Sequence, residues 1–151
     1  MRRVETEVTQ SATLVVWGGD FDPSAITRQL GRRPTQTWRK GERRSYRRRD
    51  GSIRYFDSHH EWSGWKKWLN ARQARRPLEW QLQYWATLLK PKAAVLRALR
   101  GRGAVVELNC CVIALETAAL RLPSTLLATL GSWGVDVDIT WYAHRGKWRA
   151  G

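Results

Sequence analysis

From Arg28 to Arg54 the chain places eleven cations, Arg28, Arg32, Arg33, Arg39, Lys40, Arg43, Arg44, Arg47, Arg48, Arg49 and Arg54, against two carboxylates, Glu42 and Asp50. No core absorbs such a run, because taking an unpaired charge out of water costs several kcal/mol per ion. The stretch Arg32 to Arg49, with Pro34 and Gly41 and few aliphatics, is therefore expected at the surface as an irregular connection or a wide hairpin. The packed part of the fold has to come from what flanks it. At 151 residues there is enough chain for one substantial core and too little for two ordinary domains. An apolar content of 42% with ten Trp supplies burial enough to argue against disorder.

The flanking patterns are those of an α+β domain. Ala12, Leu14 and Val16 alternate with Thr13, Val15 and Trp17, so residues 4 to 18 read as a strand or a bent pair of strands. Asp22 is a good N-cap, Pro23 suits the first helical position, Ile26 and Leu30 share a face, and Gly31 is placed for the C-cap. Residues 53 to 62, IRYFDSHHEW, suit another strand. Between Gly64 and Arg76 the spacing of Trp65, Trp68, Leu69 and Arg72 predicts a short basic helix or ordered loop. Pro77 then opens a stronger helix on Leu78, Leu82, Trp85 and Leu89, and Pro91 opens a second carrying Val95, Leu96 and Leu99.

Residues 104 to 115, AVVELNCCVIAL, are so continuously apolar that they suggest a central strand covered on both faces. Pro123 opens a further helix with Leu126, Leu127 and Leu130. Val135, Val137, Ile139 and Trp141 alternate with Asp136, Asp138, Thr140 and Tyr142, a strand with one dry face. The expected architecture is a single α+β domain over residues 1–142, with an antiparallel or mixed sheet of four to five strands and helices mainly on one face. A basic tail follows at 143–151.

Several functional classes are disfavoured. Glu5 and Glu7 interrupt any secretion signal, and no window approaches 18 consecutive apolar residues. A membrane partner is not expected. The two cysteines, Cys110 and Cys111, are adjacent and neither clip a loop nor complete a zinc site, which suits a reducing cytoplasm. No phosphate-binding loop, dinucleotide fingerprint or nucleophile elbow occurs, so no cofactor and no enzymatic activity is expected. Asp57, His59 and Glu61 would share a strand face within reach of one cation, yet they read better as a solvated strand end. Asp136 and Asp138 share a face too, with wet neighbours.

The stretch WGGDFDPSAITRQLGRRPTQTWRKGE, the helix ending LLKPKAAVLRAL and the closing VDVDITWY together resemble the bacterial family catalogued as domain of unknown function 4279. The resemblance spans roughly Leu14 to Tyr142 and rests partly on structural positions, namely the Asp22-Pro23 cap, Gly31, Pro34 and Gly41. It implies a fold more than a site, and a setting that includes toxin and immunity neighbourhoods.

The remaining constellation is tryptophan among cations. Trp and Arg dominate the energetic centres of protein interfaces, and the same mixture suits single-stranded nucleic acid, where rings stack bases and arginines meet phosphates. The residues expected to form a partner-binding surface are Arg32, Arg33, Trp38, Arg39, Lys40, Arg43, Arg44, Arg47, Arg48, Arg49, Trp65 and Trp68. For Trp38, Trp65 and Trp68 a place in the core, under arginine stems, is an equal alternative; Trp85 and Trp141 are expected in the core. The leading expectation is a non-catalytic module, of immunity-inhibitor type, that docks an acidic protein such as a toxin. Nucleic-acid binding is the alternative and an unrecognised enzyme a weaker one.

Overall fold

In the computed structural model, residues 9–114 and 119–143 are described. The chain runs β1 (Thr9–Trp17), α1 (Pro23–Leu30), β2 (Gln36–Trp38), β3 (Arg43–Arg47), β4 (Ile53–His59), β5 (Gly64–Lys67), α2 (Leu78–Leu89), α3 (Ala93–Gly101), β6 (Val105–Ala114), α4 (Ser124–Ser132) and β7 (Val135–Ala143). Five strands form one sheet in the order β2-β5-β1-β6-β7, and β3 with β4 form a separate two-stranded ribbon. All pairings in the large sheet are antiparallel except β6 with β7, which α4 joins as a parallel crossover. The sheet is mixed for that reason.

One face of the sheet carries the core. Ala12, Leu14 and Val16 of β1, Trp65 of β5 and Val106, Leu108, Cys110 and Val112 of β6 pack against residues from all four helices, including Ile26, Leu30, Leu82, Trp85, Leu96, Leu99, Leu126 and Leu130. The expected α1 is formed as its residues dictate: the Asp22 carboxylate accepts from the Ser24 amide at 2.9 Å, and Gly31 closes the helix with φ of 65°. That bond from the Ser24 backbone N–H is the first cause holding the Asp22 carboxyl below its ordinary range.

The edge of β1 needs a separate partner beyond Leu14, where β5 ends. Helix α2 supplies it with side chains. Gln81, 0% exposed, accepts from the Ala12 amide at 2.8 Å and donates to the Gln10 carbonyl at 2.9 Å and the Arg76 carbonyl at 2.7 Å. Trp85 Nε1 donates to the Ala12 carbonyl at 3.0 Å. Two side chains thus take over the ladder and dock α2 in a single register.

Four expectations are corrected. Gly64–Lys67 is a strand, followed only by a short 3₁₀ turn at Gln73–Arg75, because Trp65 reaches the core by pairing between Val16 and Thr37, a period of two rather than 3.6. Trp65 is 0% exposed and donates to Thr27 Oγ1 at 3.1 Å, so it is core and not part of a docking surface. Strand β6 is fully buried on one face only: Val106, Leu108, Cys110, Val112 and Ala114 are buried, while Glu107, Asn109 and Cys111 between them are half-buried. Trp141 is 41% exposed and so is not the core residue expected, whereas Val135 at the start of the strand is buried. The strand start at residues 4–8 and the tail from 144 onward lie outside the described residues.

Candidate functional site

The arginine-rich segment is a bent hairpin. Thr35 donates its amide to the Lys66 carbonyl at 2.7 Å, β2 pairs with β5, and beyond a bend His60 and Glu42 are joined backbone to backbone at 2.8 Å before β3 pairs with β4. One continuous pair of chain segments therefore runs from the sheet edge into the free ribbon. Gly41, at φ of 85°, makes the bend in a conformation that side chains disfavour. An ion pair between Arg39 and Asp22 at 3.1 Å ties the bend to the start of α1.

The bend brings the ribbon to the face of the sheet opposite the helices. Between ribbon and sheet lies an open groove of about 1490 Å³, floored by Trp17, Trp38, Lys66 and Trp68 and walled by Arg44, Tyr46, Arg47, Arg48, Arg49 and Phe56. Trp38 lies flat across Gly64, where any β-carbon would overlap its ring, so this glycine makes the floor possible. His60 stacks on Trp38 with ring centroids 5.0 Å apart. Lys66 reaches over both Trp38 and Trp68, 5.9 Å from each ring. Tyr46 packs on Phe56 at 5.6 Å.

Electrostatically the groove is one-sided. Among the described residues Glu61 is the one carboxylate that lines it, against Arg44, Arg47, Arg48, Arg49 and Lys66. Desolvation pushes the Lys66 amine below its ordinary range. Burial, with Arg44 nearby, likewise lowers the His60 imidazole, while Glu42 acts in the other direction. Hydrogen bonds from Arg54 and Arg48 lower the Tyr46 hydroxyl. Burial leads the shifts of Lys66 and His60, whereas that of Tyr46 comes from the arginines beside it, which favour a negative charge there.

Of the residues expected on the surface, Trp38, Arg44, Arg47, Arg48, Arg49 and Trp68 meet in this groove. Lys40 lies beside it over Trp62, at 5.7 Å. Arg43 belongs to the ribbon's other side, over Tyr55 at 5.6 Å and paired with Asp57 at 3.1 Å. Arg32 lines a second cleft, and Arg33 is exposed away from both. Trp17, Tyr46, Phe56 and His60 went unmarked in the sequence, where only the ribbon's register and its fold onto the sheet could gather them. Asp57, His59 and Glu61 form no metal cluster: among the described residues no three His, Cys, Asp or Glu side chains gather as one. Among the described residues no helix is long and apolar enough to cross a membrane.

The class so defined is a single-core α+β domain, with a helix-covered mixed sheet whose open face is roofed by a basic ribbon. The chain belongs to the family described as Domain of unknown function (DUF4279), whose model matches residues 6–144. No curated protein and no solved structure matches it.

Proposed function

We propose that the protein is a non-catalytic binding module that docks an acidic protein surface in the groove between the ribbon and the sheet. The observation that carries this is the concentration of cations on a concave, aromatic-floored surface where, among the described residues, Glu61 alone is a carboxylate. Such a patch steers an anionic partner and speeds its association. Exposed rings along it, Trp68 at 52% and Trp62 at 45%, supply the area that anchors an interface.

An acidic protein fits better than single-stranded nucleic acid because the ring faces are already engaged. Lys40 covers Trp62, Arg54 covers Phe56, and Lys66 covers Trp38 and Trp68, all within 6 Å. On those faces a stacked base would have to displace the cations, whereas carboxylates meet them where they stand. An immunity-type inhibitor is one module of this kind, and its target would be an acidic protein, since a basic one would be repelled. Burial pushes the Cys110 thiol up to about 12, far from a nucleophile's range, so this side chain is read as packing.

The test compares a fluorescein-labelled oligo-glutamate peptide with an oligouridylate of equal length, by anisotropy near 100 mM salt. The peptide is expected to bind, and more slowly when Arg43, Arg44, Arg47, Arg48 and Arg49 are all changed to Ser. Binding of the oligouridylate alone, with a steep salt dependence, would instead establish the nucleic-acid alternative.

A further inference from the structure

A second cleft, of about 400 Å³, lies on the helix side of the sheet edge. Arg32 and Lys67 line it together with Asn70, Gln73 and Tyr84. It is not isolated from the groove, because Thr35 and Trp68 line both. The connection follows from strand geometry: Lys66 and Lys67 are consecutive on β5 and point to opposite faces, and Trp68 stands at the strand's end between them. The Trp68 amide donates to Thr35 Oγ1 at 3.0 Å, which fixes this corner.

Arg32 and Lys67 are half-buried, and among the described residues neither forms an ion pair. Such cations bury their stems and keep their heads in water, free to meet an incoming carboxylate. The cleft also offers side-chain amides: Gln73 donates to the Tyr84 hydroxyl at 2.7 Å, leaving that hydroxyl's own proton to donate.

We infer that the binding path is continuous around the sheet edge, so that an extended acidic segment of the partner fills the groove, turns over Trp68 and places a further carboxylate in the cleft lined by Arg32 and Lys67. This rests on the acidic-partner proposal above and adds to it a two-part site with a minimum partner length.

Two labelled oligo-glutamate probes separate the possibilities. One of about five residues spans at most about 18 Å, enough for the groove alone, and one of about twenty residues spans up to about 70 Å, enough to pass round the edge. The double variant Arg32→Gln/Lys67→Gln is expected to bind the short probe as the native chain does and the long probe about tenfold more weakly, because the second contact is intramolecular once the first is made. Trp68→Gly, which removes the corner ring, is expected to lower the native preference for the long probe. A control, Lys90→Gln/Arg102→Gln, removes two exposed cations elsewhere and should leave the ratio of the two affinities unchanged. Equal loss for both probes in the double variant, or none for the long one, overturns the continuous path while the groove proposal stands. If the native chain binds neither probe, the acidic-partner proposal itself fails.

Discussion

Replacing Gln81 by leucine fills nearly the same space but supplies neither a donor nor an acceptor. Four backbone groups then lose a partner: the Ala12 amide at 2.8 Å, and the carbonyls of Gln10 at 2.9 Å, Arg76 at 2.7 Å and Ala74 at 3.3 Å. Ala12 is 2% exposed, so its amide has no water to turn to, and a buried unpaired donor costs about 1–3 kcal/mol. The three carbonyls belong to half-buried and exposed residues, where water replaces most of the bond. A total of about 2–4 kcal/mol follows. At about 2–4 °C per kcal/mol for a domain of this size, the melting temperature should fall by about 4–16 °C. Thermal unfolding by circular dichroism measures it, and hydrogen exchange at the Ala12 amide locates it. A melting temperature within about 2 °C of the native value, with Ala12 still protected, would refute the claim that a side chain completes the β1 ladder.

Trp65→Ala, at a fully buried ring, should cost about 3–5 kcal/mol, whereas Trp68→Ala should change stability by less than about 0.5 kcal/mol, as surface substitutions do; paired melts distinguish them. In the native state Cys110 should resist a thiol reagent at neutral pH until the chain unfolds, its thiol being held near 12, and labelling followed by mass spectrometry checks this. His60 is depressed below its ordinary value of 6.5 in the folded chain, so the unfolded chain binds the proton more readily. Stability should therefore fall as pH drops through about 6.5 towards the folded value and then level off. Melting curves of His60→Gln should lack that part of the slope, and an identical pH profile would show that His60 is not responsible.

The chain order of amino acids determined most of what depends on near neighbours. The α1 cap at Asp22-Pro23, the Gly31 stop, the stripes of α2 and α3 and the alternation of β7 all express periods and caps that act within one or two turns. The surface position of the arginines followed as well, because desolvating so many like charges has no compensating partner in any fold. Trp65 and Trp68 show where local pattern stops being sufficient: three residues apart, they fit a helical face as well as a strand and its exit, and only pairing of β5 with β1 and β2 decided that one is core and the other a corner. Gln81 carried no local signal at all, since its partners lie as far as 71 residues away. The groove is likewise a product of tertiary structure. Sequence supplied its charge, but Trp17, Tyr46, Phe56 and His60 meet there only because the hairpin bends at Gly41 over a sheet face that the helices leave open. Cross-strand register and the direction of a bend depend on contacts between distant segments, and those contacts are energetic facts of the folded chain rather than of any stretch of it.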